Sequence, residues 1–154
     1  MTAADIDDDG RTPALDGLRV LDLGNRASTA WCGRLLADLG ADVIGVEPAD
    51  GHPVRRDPPA AAYLLANRSR ADEASATRLL AQADVVIVSD AGAATTAHVA
   101  NPAALIVAVT PYGLDGPQAE RAGNDLTAYA TSGWASMNGL ADREPIKGPG
   151  HNAS

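Results

Sequence analysis

Apolar residues alternate through Leu18-Arg19-Val20-Leu21-Asp22-Leu23 and stop at Gly24, the two-residue period of a strand. Ser28 or Thr29 can cap the element that follows, and Gly40 can close it in a left-handed conformation. Between them Trp31, Leu35 and Leu39 recur at i, i+4 and i+8, flanked by Cys32 and Leu36. That spacing sets one apolar stripe along a helix. A second strand, 42–47, runs up to Pro48. Strand, helix and strand in close succession predict a parallel, right-handed βαβ unit.

Beyond it lies a Pro- and Arg-rich loop, 48–59, then a short helix over 60–66 ending near Asn67. A further helix is predicted over 75–83, with Leu79 and Leu80 inward. Residues 84–88 form a continuous apolar run, the mark of a strand buried on both faces. The Ala/Thr-rich stretch 91–100 is weakly helical, and Asn101-Pro102 precedes a fourth strand at 105–109. Pro111, Gly113, Gly116 and Pro117 mark a loop before a helix over 124–131. After Gly133 the pattern fades, and no closing helix or strand is expected. The order predicts an α/β fold, an open doubly wound Rossmann-like parallel sheet. Residues 1–16, polar, with Asp7, Asp8 and Asp9 in a run and Pro13 as a breaker, read as a disordered lead-in to a domain over 17–154.

Composition narrows the possibilities. The 154 residues fit one domain, and 45% hydrophobic content, mostly Ala, Leu and Val, can build one core. No stretch approaches the roughly 20 apolar residues of a membrane span, and the acidic start is unlike a signal peptide. A soluble, cytoplasmic protein is expected. The net charge of −8 argues against general nucleic-acid binding. Lone Cys32 excludes an internal disulfide framework and a Cys-rich zinc site, and within the helical stripe it reads as a packed thiol. His52, His98 and His151 are far apart and lack matching acidic spacing, so no metal site is expected.

Chemistry is most readable in two places. The first βα loop, 24–29, is where a doubly wound fold meets its ligand, and Glu47 ends the second strand, where an acid often holds a ribose hydroxyl. Gly24 stands alone there, so the glycine fingerprint of a dinucleotide site is not present. Two basic clusters, Arg55-Arg56 and Asn67-Arg68-Ser69-Arg70, fall in predicted loops. Such arginines can grip phosphate through forked, charge-assisted hydrogen bonds, or simply be solvated surface. In so acidic a chain, any anion must be held by local arginines against the global field.

Several segments together resemble the family III CoA-transferases, the group that includes formyl-CoA transferase, carnitine CoA-transferase and alpha-methylacyl-CoA racemase. They are LDGLRVLDLG at 15–24, GRLLADLGADVIGVEPADG at 33–51, the RR and NRSR clusters, ADVVIV at 83–88, NPAALIVAVTPYGLDGP at 101–117, AGNDLTAYATSG at 122–133 and the P-x-x-G-P-G-H segment at 145–151. The resemblance implies the N-terminal part of an enzyme transferring CoA between an acyl-CoA and a carboxylic acid, truncated before a second domain. It implies a coenzyme A thioester as substrate, no tightly bound cofactor, and CoA contacts among Arg55, Arg56, Asn67, Arg68 and Arg70. It also implies a homodimer or a partner chain supplying the missing half.

In such transferases a catalytic Asp carboxylate attacks the thioester and forms a mixed anhydride. The family register puts that position on Ser154, whose hydroxyl cannot form an anhydride, and the racemase His on Asn124, whose amide cannot exchange a proton. No catalytic residue is therefore intact. The family's Gly-Pro after the first strand is Thr29-Ala30, an Arg after the strand-two acid is Pro48, and N/S-x-x-P-G after the third predicted strand is Ser89-Asp90-Ala91-Gly92-Ala93. Two other readings stay open: a non-catalytic CoA-binding or assembly subunit, and an inactive truncated product.

Overall fold

The computed structural model describes residues 12–146. Five parallel strands, β1 (Arg19–Asp22), β2 (Asp42–Glu47), β3 (Ser69–Asp72), β4 (Val85–Val88) and β5 (Leu105–Ala108), lie in the order β3-β2-β1-β4-β5. Helices α1 (Ala27–Asp38), α2 (Pro58–Leu64), α3 (Ala76–Leu80) and α4 (Ala91–Ala100) connect them. The doubly wound expectation holds, and its cause is visible in alternation. On one sheet face Val20, Val43, Val85 and Ile87 pack with Ala37 and Ala41. On the other, Leu21, Val86 and Val88 pack with Leu80, Ala94 and Ala97. Register pairs Val20 with Val43 on one side and with Val85 on the other, so β1 is central and apolar on both faces.

Several expectations change. The sheet has a strand that periodicity does not reveal: β3 reads Ser-Arg-Ala-Asp and runs beside β2 from Ile44↔Ser69 to Glu47↔Asp72. An edge strand with mostly exposed side chains needs no hydrophobic alternation. The stripe Trp31, Leu35, Leu39 is half-exposed at 40%, 47% and 51%, whereas Thr29, Ala30, Gly33 and Ala37 form the buried face of α1. Small side chains let the helix lie close to the sheet; the large ones flank it, with Trp31 against the Tyr63 ring at 5.5 Å. Arg26 rather than Ser28 or Thr29 occupies the N-cap, and the Thr29 hydroxyl donates to the Arg26 carbonyl at 2.9 Å.

The lead-in expected over 1–16 falls mostly outside the described residues. Within them, Leu15 donates its N–H to the Leu39 carbonyl at 3.0 Å, so ordered chain precedes β1. α3 is shorter than expected and is preceded by a 3-10 turn at Glu73–Ser75. The weakly helical stretch 91–100 is a full helix, because Asp90 caps it by accepting from the Ala93 N–H at 2.8 Å.

The chain divides into two compact units, Met1–Val109 and Thr110–Ser154. In the second, α5 (Asp125–Thr131) is followed by a helical turn that the sequence did not reveal, α6 (Trp134–Met137). The buried Tyr129 donates its hydroxyl to the Ile146 carbonyl at 2.8 Å and meets Trp134 edge-on. Among the described residues no helix is long and apolar enough to cross a membrane.

Candidate functional site

Charge gathers at the carboxyl ends of β1 and β2. Asp22, the last residue of β1, is 1% exposed in a strand that is otherwise apolar inward. One of its oxygens accepts from the Gly24 N–H at 2.9 Å and the other from Arg68 Nη1 at 2.7 Å. Arg68 is buried too, its side chain 3% exposed. Its guanidinium fits because β2 carries Gly45 beneath it: a Cβ there would come within 2.9 Å of Arg68 Cζ. Burial pushes the Asp22 carboxyl above its usual range, a larger effect than Arg68 and the Gly24 N–H exert downward.

Glu47 ends β2 and is 2% exposed. Arg55 holds it with a fork, Nε to Oε2 and Nη2 to Oε1, both at 2.7 Å. The His52 N–H reaches Oε2 at 3.3 Å, and Arg70 Nε lies 3.5 Å from the same oxygen. Arg68 Nη2 stands 3.9 Å from Oε1. Hydrogen bonding from Arg55 outweighs burial and holds the Glu47 carboxyl down to about 2. His52 is 2% exposed, and its Nδ1 accepts from the Val54 N–H at 3.1 Å. Burial first, then Arg68, keeps its imidazole below the ordinary value.

The five residues expected to touch CoA therefore separate. Arg55 and Arg70 stay at the surface against Glu47, with side chains 43% and 57% exposed, and Arg56 is exposed beside Arg55 in the chain. Arg68 lies buried beside them, with Nη1 bonded to Asp22 and Nη2 3.9 Å from Glu47 without a hydrogen-bond partner. Asn67 sits apart from the Glu47 cluster. Its backbone is left-handed (φ 58°), and its amide donates to Asp38 Oδ1 at 2.9 Å, while Arg34 Nε reaches Asp38 Oδ2 at 2.7 Å. Asn67 thus ties the end of α2 to α1.

Asn124 caps α5: its side chain accepts from the Thr127 N–H at 3.0 Å, and Thr127 Oγ1 accepts from the Asn124 N–H at 2.8 Å. Ser154 and His151 lie outside the described residues. Cys32 is half-buried, with its thiol pushed up by burial and by Asp22. Among the described residues no three His, Cys, Asp or Glu side chains gather to hold a metal.

Asp22 and the supporting place of Arg68 are what sequence reasoning missed. A signal existed: an Asp at an inward position of β1, and glycine in mid-β2 leaving room for a long side chain.

Fold and site together define a doubly wound α/β domain whose β2 terminus carries an arginine-framed carboxylate. The model of CoA-transferase family III matches residues 15–151. A succinate–glutarate CoA-transferase of Agrobacterium fabrum is 34% identical over 89% of this chain and 42% of its own length. A succinyl-CoA:glutarate CoA-transferase of Mus musculus is 30% identical over 86% of this chain and 36% of its own. The crystal structure of a CAIB/BAIF family protein from Brucella suis superposes with a TM-score of 0.80 at 32% identity, covering 92% of this chain and 45% of that one. The chain belongs to CoA-transferase family III. It spans less than half the length of these relatives.

Proposed function

We propose that this chain is the N-terminal CoA-binding part of an enzyme that moves CoA between an acyl-CoA and a carboxylic acid. The observation that carries the reading is the family match across 15–151. The exposed Arg55, Arg56 and Arg70 at the carboxyl edge of a parallel sheet support it, since that edge is where open α/β sheets hold ligands. In this reading the three arginines contact the phosphates of CoA, and Arg68 supports them from below.

A second reading rests on the expected register, in which the family's nucleophile would fall on Ser154 and its racemase histidine on Asn124; the Asn124 side chain is engaged in capping α5. The chain then binds CoA without reacting, as an assembly subunit completed by another chain.

Calorimetric titration of the full chain with CoA at low and moderate salt tests the shared element. Saturable binding that weakens with salt is expected; a folded chain that takes up no CoA overturns both readings. Incubation with succinyl-CoA and a panel of dicarboxylic acids separates them. Exchanged thioester product supports the enzyme, and binding without exchange supports the subunit.

A further inference from the structure

Among the described residues two buried side-chain nitrogens have no hydrogen-bond partner, Nε2 of His52 and Nη2 of Arg68. Both side chains are deep in the fold, His52 at 2% exposure and Arg68 at 3%. Buried polar atoms are ordinarily met by protein or by an internal water, because leaving one unmatched is costly. Both nitrogens are donors. The Arg68 guanidinium offers only N–H groups. His52 Nδ1 accepts from the Val54 N–H at 3.1 Å, so the neutral imidazole carries its hydrogen on Nε2. Glu47 neighbours both residues. Its Oε2 accepts from Arg55 Nε at 2.7 Å and from the His52 N–H at 3.3 Å, whereas Oε1 accepts only from Arg55 Nη2 at 2.7 Å. A carboxylate oxygen has two acceptor directions, so one on Oε1 is open. Arg68 Nη2 lies 3.9 Å from that oxygen, too far for a direct bond. The gap suits two legs of about 2.8 Å that meet near a right angle at one bridging oxygen.

We infer that this point is a binding site for a single internal water, which accepts from Arg68 Nη2 and His52 Nε2 and donates to Glu47 Oε1. Three hydrogen bonds are the usual complement of a buried water. The chemistry of the three groups selects the occupant. A halide or another anion could accept from the two donors, but it would stand against the Glu47 carboxylate with nothing to donate. The positive charge of Arg68 is already shared with Asp22, whose Oδ2 accepts from Nη1 at 2.7 Å. Water alone among small occupants both accepts and donates here. It makes one network of two ion pairs, Asp22–Arg68 and Glu47–Arg55, across the ends of β1 and β2. His52 is the third support, and it also caps the 3-10 turn Pro53–Arg56 that carries Arg55. The inference is independent of the CoA reading, since it concerns groups within the fold.

A crystal structure of the full chain, at a resolution that places ordered waters, tests the site directly. One density peak is expected within about 3.2 Å of Arg68 Nη2, His52 Nε2 and Glu47 Oε1. No peak there, with Nε2 bonded directly to the nearby Gly24 carbonyl and Nη2 directly to Glu47, overturns the inference. An anomalous peak at the same point after a bromide soak also overturns it, in favour of an anion. In solution, nitrogen-15 shifts of His52 should show the hydrogen on Nε2; a hydrogen on Nδ1 removes one of the two donors and the inference with it. Oxygen-17 relaxation dispersion counts long-lived waters. His52→Phe should show one fewer than the wild type, and His52→Gln, whose amide nitrogen can stand in for Nε2, should keep the wild-type count. A folded Phe variant with an unchanged count overturns the three-point site.

Discussion

At the scale of single residues, Arg68 decides how the β1 and β2 termini are built. Two carboxylates, 1% and 2% exposed, depend on it and on Arg55 for compensation. Arg68→Ala leaves Asp22 without its cation and should cost about 3–5 kcal/mol of stability in urea titration. Gly45→Ala tests the same contact from the other side, since the added Cβ would press on the guanidinium; a lowered melting temperature is expected. Protonation offers a second probe. Glu47 titrates near 2 in the folded chain against an ordinary 4.5. Its contribution is fully present above about pH 4.5 and is lost as pH falls towards 2. Stability of the wild type should decline across that window, and Glu47→Gln should flatten the decline. A Gln variant with an unchanged acid slope would remove Glu47 as its cause. The same residues show what a sequence discloses. Glu47 was readable as the strand-two acid because position alone marks it. Arg68 was not separable from Arg55 and Arg70, because all three are arginines in short basic clusters, and only the opening above Gly45 distinguishes the buried one.

At the scale of elements, apolar periodicity predicted four of the five strands and placed α1, but it assigned the wrong face of that helix to the core. Large residues dominate a hydrophobic count, whereas close packing of a helix on a sheet is met by Ala30, Gly33 and Ala37. Leu35→Lys, on the half-exposed stripe, should change stability by no more than about 0.5 kcal/mol. Ala30→Leu, at 0% exposure, should cost about 1–3 kcal/mol through overpacking. Comparing the two melting temperatures settles which face is inward. β3 stayed hidden for the opposite reason. Its four residues are held by the β2 ladder and carry little buried apolar surface, so there was no pattern to detect.

At the scale of the whole molecule, the compact unit ending at Val109 holds the entire sheet, both apolar clusters and the arginine-framed carboxylate. A chain shortened to end there should unfold in one cooperative transition, with Trp31 fluorescence and far-ultraviolet dichroism coinciding in urea. Non-coincident curves would mean that residues after Val109 are needed to complete it. The overall class was legible because the alternation of strand and helix is a property of the full pattern, robust to errors in any single element.

The Asp22–Arg68 bond also has a bearing on time. Its partners are 46 residues apart, with α1, β2 and α2 between them. The bond needs β1 and β3 brought together across β2, so closure late on the folding route is the expectation that kinetics would test. Interactions formed after the rate-limiting step govern how fast a protein opens rather than how fast it forms. Arg68→Ala should therefore steepen the loss of native protein in unfolding kinetics and leave the refolding rate nearly unchanged, making this ion pair a latch on the lifetime of the native state.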